Sequence, residues 1–258
     1  MTTQVLSSFD GPLCTITLHP PEGKPPTLDH DVIAALDAIL ADLETRAGAL
    51  RAVVIRSASP KVFCAGANLR VMETIDERTI VPWVESGHRL MNRLEALPLP
   101  VIARVEGHAM GGGLELALAC DLIFASSAAR FAQSEARLGL ITGWGGSFRL
   151  VRRVGLARAK DLALSGRVID AAEAARIGLA DWHGAPEELD RHLTTWVAET
   201  AANGAVAVRE VKRLLTACAT PPADPAALES AASVTCLRDG DAAARIREFL
   251  AGRAKRRG

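Results

Sequence analysis

The residues of this 258-residue chain best suited to chemistry are two acids, Glu115 and Glu135, two glycine-rich turns and a third turn of small residues. Glu115 belongs to GHAMGGGLELALACD (107–121), where Gly111, Gly112 and Gly113 precede an apolar run. Glycine accepts positive φ and lets a ligand approach the main chain. A helix starting there turns its free N–H groups and positive dipole end toward the loop. Such a place suits an anion, or an oxygen that gains negative charge during a reaction. On spacing alone, a tight turn before a closely packed helix explains the same glycines equally well. Leu116 stands where a dinucleotide fingerprint needs glycine, and no GK[ST] completes a phosphate loop.

Glu115 has apolar neighbours all round, Leu114, Leu116, Ala117 and Leu118. That pattern predicts a buried helix, and buried carboxylates are rare unless paired or functional. Glu135, in AQSEARLGL, reads by itself as a capping-type acid on a short helix. FCAGANL (63–69) leaves the backbone bare at Cys64, Ala65 and Gly66, and Asn68 suits a helix cap near Leu69. Alone, it is a turn with a cap. In GLITGWGGSFRL (139–150), Gly143, Gly145 and Gly146 flank Trp144, which makes a plain loop or a pocket wall.

No other reactive set assembles. There is no GxSxG, Ser134 and His108 have no acid partner at a recognised spacing, and Cys64 has no evident base. The six histidines include no HExxH, so no metal is expected.

The elements that must position these residues follow from periodicity. LCTITL (13–18) alternates as a strand, and RAVVIRS (51–57), LPLPVIARVEG (97–107) and CDLIFAS (120–126) read as buried strands, with ARFAQ (129–133) a short fifth. Val32, Ile33, Leu36, Ile39, Leu40 and Leu43 form one helical face behind a cap at Asp29. Residues 70–96 read as a polar helical region. The alternation predicts an α/β fold with crossover helices. Beyond about residue 155 the strands fade, two short helices break at Gly166 and stop at Gly178, and everything after 187 reads as helical apart from a loop at 219–227. The expected division is a core over 1–195 and a helical region over 196–258.

Composition excludes several classes. Thirty basic and thirty acidic residues cancel, which argues against a nucleic-acid or membrane surface as the main partner. Five widely spaced cysteines without a CxxC fit reduced thiols and a cytoplasmic protein. The N-terminus lacks the pattern of a secretory signal, no apolar run is long enough to span a membrane, and the basic end AGRAKRRG is not a peroxisomal address.

Together these segments resemble the crotonase superfamily, the enoyl-CoA hydratases and isomerases. FCAGANL is similar to its FxAGADL, VEGHAMGGGLELALACDLIFAS to VxGxAxGGGxELAxxCDxxxA, and FAQSEARLGLITGWGGSFRL to FxxPExxLGxxPGxGGxxRL. AKDLALSGRVIDAAEAARIGLAD is similar to the stretch ending AxxxGLV, and the likeness is strongest over 62–180. The resemblance implies a spiral of ββα units, a helical C-terminal region that packs trimers, often paired into hexamers, and acyl-CoA substrates. Coenzyme A is then part of the substrate, and no separate cofactor is expected. It implies an oxyanion hole for the thioester carbonyl, with backbone donors at Ala65 and Gly112. Hydratases of the superfamily carry two glutamates, and both positions are filled, by Glu115 to activate water and Glu135 to serve the α-carbon. The loop Ala65, Gly66, Ala67, Asn68 corresponds to the adenine-binding loop, and Phe249 and Arg253 resemble an aromatic-then-basic ending that touches the nucleotide of a neighbouring subunit.

The departures concern the substrate more than the fold. Asn68 replaces Asp, Ser134 and Thr142 replace prolines, Glu106 replaces Asn, and Trp144 replaces a small residue beside the pocket. Hydration of a 2-trans-enoyl-CoA is the leading expectation. Another crotonase reaction, isomerisation or decarboxylation, is the second. An RNA- or partner-binding relative is the third, and the neutral charge weighs against it.

Overall fold

The structure is a computed structural model and describes residues 2–217 together with Thr235 and Asp239. Phe249, Arg253 and the 219–227 loop lie outside the described residues. The chain winds as a spiral in which strands alternate between two sheets. β1 (Gln4–Asp10) and β2 (Leu13–His19) form an antiparallel hairpin that begins the larger sheet. After α1 (His30–Arg46), three turns of the spiral repeat one pattern. β3 (Ala52–Ser57), β5 (Val101–Val105) and β7 (Leu122–Ser126) each enter the larger sheet. Each is followed by a three-residue strand of the smaller sheet, β4 (Val62–Cys64), β6 (His108–Met110) or β8 (Arg130–Ala132). Helices α2 (Leu69–Met72) and α3 (Ile80–Ala96), α4 (Gly112–Leu118), and α5 (Gly146–Val154) with α6 (Leu156–Ser165) close the three turns.

The larger sheet has the order β1-β2-β3-β5-β7-β10 and is parallel from β2 onward, and β10 spans Trp182–Gly184. The smaller has the order β4-β6-β8-β9, with β9 (Ile169–Asp170) antiparallel to β8. β9 and β10 are strands beyond residue 155, where none was expected. They consist of two and three residues, too few for a periodic pattern to register. The helical stretch expected over 70–96 is likewise two helices. Asp76 interrupts it by accepting from the N–H groups of Arg78 and Thr79, a local turn that competes with the helix.

The central strands are buried on both faces, as a parallel sheet requires. Val53, Ile55, Val101, Ala103 and Ile123 join the main core with Leu36 and Leu40 of α1 and Leu90 and Leu94 of α3. Ala52, Val54, Ile102 and Phe124 meet Leu189, Leu193 and Val197 of α8 (Pro186–Ala201) on the opposite face. No break falls at residue 195, because α8 runs through it and continues its apolar stripe to Val197. After α7 (Ala171–Arg176) and α8, the last described helix is α9 (Ala205–Ala217). Among the described residues no helix is long and apolar enough to cross a membrane.

Candidate active site

Glu115 stands in the first turn of α4, in a helix whose every residue is buried, and is itself 2 % exposed. A lone carboxylate this deep needs partners. Its Oε1 accepts from the Trp144 N–H at 2.7 Å and the Gly146 N–H at 2.8 Å. Those donors come from the glycine-rich turn that opens α5. Gly145 takes φ +99°, and an added Cβ on Gly146 would lie 3.0 Å from Glu115 Oε1. The turn is therefore built of glycine so that two amides can converge on one oxygen.

Glu135 opens a short 3-10 helix (Glu135–Leu138) after β8. Its Oε1 accepts from Gln133 Nε2 at 2.9 Å and faces Gly111, where an added Cβ would lie 3.3 Å away. Gly111 has φ +52°, so both its backbone and its surroundings call for glycine. Gln133 is 1 % exposed and lies beside both acids, since an added Cβ on Gly146 would be 3.0 Å from its Oε1 and 3.0 Å from Glu115 Oε1. Sequence reasoning passed over Gln133. Gln133 follows the last residue of β8 and Glu135 opens the 3-10 helix, so no strand or helix period links the two, and their pairing follows from the path of the turn between them.

Three buried side-chain polar atoms among the described residues have no hydrogen-bond partner: Gln133 Oε1, Glu135 Oε2 and Trp144 Nε1. All three belong to this one site. Buried polar groups are nearly always satisfied, so their concentration here marks a place built for a polar ligand.

The backbone donors differ from those expected. The Ala65 N–H is donated to Pro26 O at 2.8 Å and so is not free for a substrate. Gly66, at φ +94°, reverses the chain so that the next amide, Ala67, faces the glycine turn. Ala67 N lies 3.3 Å from where a Cβ on Gly112 would be, and neither the Ala67 nor the Gly112 N–H is hydrogen-bonded. An added Cβ on Gly66 would lie 2.8 Å from Met110 O and 3.0 Å from Gly112 N, so the two loops touch through glycine. The pair of free donors is Ala67 and Gly112.

Asn68 caps α2 by accepting from the Arg70 N–H, as expected, and its Nδ2 reaches Asp29 Oδ2 at 3.4 Å. Gly143 packs near Val84 of α3. Trp144 is buried, packs against Trp83 with ring centroids 5.1 Å apart, and presses on two glycines. A Cβ on Gly87 would fall 2.0 Å from its ring, and one on Gly112 2.6 Å. The indole thus lies directly beside the free Gly112 amide. Cys64 is not a nucleophile here, because burial pushes its thiol up to about 12. No cluster of three or more His, Cys, Asp or Glu that could hold a metal occurs among the described residues.

Burial raises the Glu115 carboxyl to about 7, against the lowering effect of the Gly146 amide. Glu135 raises it further, and the Trp144 amide and Arg149 lower it. Burial also raises Glu135. An acid raised to about 7 can take up and release a proton near physiological pH, and burial moves its neighbour Glu135 in the same direction. This has a consequence for stability. Between the ordinary value of 4.5 and about 7, folded Glu115 keeps a proton that the unfolded chain has lost. Stability should therefore fall as pH rises through that window and level off above it, by about 3 kcal/mol. Urea unfolding from pH 4.5 to 8 checks this. Glu115→Gln should remove that part of the decline, and an undiminished decline in the variant would assign it to other groups.

A family model described as enoyl-CoA hydratase/isomerase matches residues 8–240. The short-chain-enoyl-CoA hydratase of Clostridium acetobutylicum is 35 % identical over 211 residues, which span 82 % of this chain and 80 % of that protein. The crystal structure of an enoyl-CoA hydratase from Bacillus anthracis superposes with a TM-score of 0.88 at 30 % identity, covering 97 % of this chain and 96 % of the other. A Thermobifida fusca protein solved in complex with CoA superposes with a TM-score of 0.82 at 31 % identity, covering 91 % and 93 % of the two chains.

Proposed function

The chain belongs to the enoyl-CoA hydratase/isomerase family, and on that premise we propose that it is an enoyl-CoA hydratase. It would add water across the double bond of a 2-trans-enoyl-CoA to give a 3-hydroxyacyl-CoA. The observation that carries this reading is the pair Glu115 and Glu135, both raised by burial and both within reach of Gln133 and the glycine turns.

In this reading the thioester carbonyl oxygen accepts from the N–H groups of Ala67 and Gly112. Attack on the β-carbon moves negative charge onto that oxygen, where the two fixed amides and the α4 dipole stabilise it. Glu115, ionised, takes a proton from water as the water oxygen bonds to the β-carbon. Glu135, protonated, gives a proton to the α-carbon. The double-bond electrons form the new C–H bond, so water is added whole and the acids exchange protonation states. Proton exchange with solvent resets them before the next turnover.

The test follows the 2-enoyl thioester absorbance of crotonyl-CoA and identifies the product. Rapid loss with a 3-hydroxyacyl-CoA product is expected. A shifted alkene or released carbon dioxide would move the chain to the other reactions of the family.

Trp144 supports a short acyl group. Its ring fills space beside the Gly112 amide, and in this reading a longer acyl chain would need that space. The Clostridium relative, a short-chain-enoyl-CoA hydratase, points the same way. Trp144→Ala is expected to raise kcat/KM for 2-decenoyl-CoA relative to crotonyl-CoA by about tenfold or more, since a few buried methylenes are worth a few kcal/mol. An unchanged ratio across a series of chain lengths would remove Trp144 as the limit.

A further inference from the structure

We infer that Arg149 is a positioning residue for Glu115: its buried guanidinium locks the Trp144–Gly146 turn whose amides hold the carboxylate. Arg149 lies on α5 and is 4 % exposed. Its Nε and Nη2 donate to Glu95 Oε2 at 3.0 and 2.8 Å, and Nη2 also donates to Asn92 Oδ1 at 2.7 Å. These contacts anchor the fork to α3. From that anchor Nη1 donates to Trp144 O at 3.1 Å. The carbonyl it holds belongs to the peptide unit lying between the two amide donors to Glu115. Peptide units are planar, so fixing this one limits how its neighbours can rotate. Gly145 closes the arrangement. Its φ is +99°, and an added Cβ would lie 2.2 Å from Nη1. The turn and the guanidinium fit only if that position is glycine.

The same contacts place a fixed positive charge behind the acid. It opposes the two influences that raise Glu115, burial and Glu135. Among the described residues, the other elements packed on α4 bring no competing charge. β4 brings Cys64, a neutral thiol, β6 brings His108, which is exposed, and β7 has no titratable side chain. Further along α5, Arg152 is paired with Glu95 and Arg153 with Asp181. His88 of α3 approaches Gly145 rather than the acid. Glu95 in turn moderates Arg149, so the two should act on Glu115 in opposite directions.

This inference rests on the proposed role of Glu115 as base, so its test includes a measurement made without turnover. The Glu115 carboxyl is titrated by carbon NMR in wild type, Arg149→Met and Glu95→Gln, and the pH profile of kcat/KM for crotonyl-CoA is recorded in parallel. Arg149→Met is expected to move the Glu115 titration and the acidic limb of the profile to higher pH. Glu95→Gln should move both to lower pH, because the guanidinium then loses its counter-charge. Arg149→Met should also lower kcat by about 10²-fold with KM nearly unchanged, the scale of a misplaced catalytic group. Arg149→Lys keeps the charge but not the fork, so the titration should return while kcat stays low. Should Arg149→Met fail to fold, the Glu95→Gln and Arg149→Lys measurements carry the test. A Glu115 titration that stays in place in the folded variants, with losses confined to Tm, would make Arg149 merely structural and overturn the inference. Failure of the hydratase reading looks different: the opposed NMR shifts persist while wild type leaves crotonyl-CoA unchanged.

Discussion

Glu115→Gln is expected to lower kcat for crotonyl-CoA hydration by about 10²–10⁴-fold, with KM changed by only a few-fold. The substitution is chosen for what it keeps. Glutamine preserves the side-chain volume in a helix that has no spare room. Its amide oxygen can still accept from the Trp144 and Gly146 N–H groups. What it loses is the capacity to take a proton from water. Glu135→Gln should cost a similar factor for hydration, by removing the proton donor to the α-carbon. The two should then part company in a reaction that needs only one acid. If the chain isomerises a 3-enoyl-CoA, Glu115→Gln should spare that activity more than Glu135→Gln does. Retention of more than a tenth of wild-type hydration in either variant would end the two-carboxylate mechanism.

The second large effect separates two adjacent glycines. Gly112→Ala places a methyl 2.6 Å from the Trp144 ring and 3.3 Å from Ala67 N. The obstacle there is mainly a side-chain ring, beside the free amides. The expected result is a folded protein whose kcat falls by about 10²–10³-fold, equivalent to losing one donor of an oxyanion hole. Gly113→Ala places its methyl 2.1 Å from Cys64 O and 2.6 Å from Cys64 C. That obstacle is the backbone of the neighbouring loop, which cannot swing aside. The expected result is loss of stability before any question of activity, read as a lower Tm or poor recovery of folded protein. Equal thermal stability in the two variants would mean that the Cys64–Ala67 loop yields more easily than its packing implies. A fully active Gly112→Ala would remove that amide from the mechanism.

Much of the site was legible because its parts are local. Glu115 among leucines and alanines announces a buried acid. Asn68 and Asp29 were readable as caps, because a cap is a contact over two or three residues. What escaped was set by pairing at a distance. β1 is mostly exposed and carries no alternation, and it exists because β2 offers it a register of backbone partners. The three-residue strands of the smaller sheet are too short to show a period and are held by each other. The expectation of Ala65 as a donor failed for the same reason. Which amide of a glycine turn is free depends on the φ of Gly66 and on a carbonyl at Pro26, and neither can be read from the spacing of FCAGANL.

The tethering of Glu115 by one oxygen carries a stereochemical consequence. Oε1 is occupied by two amides fixed in a turn, so Oε2 is left as the atom that can receive a proton. An acid with a single working oxygen at a fixed point can direct water to only one side of a flat alkene. The carbonyl held by Ala67 and Gly112 would stop that alkene from turning over. In the proposed hydration such a site would yield one enantiomer of the 3-hydroxy product, with its handedness set by the backbone of the Trp144–Gly146 turn that aims Oε2.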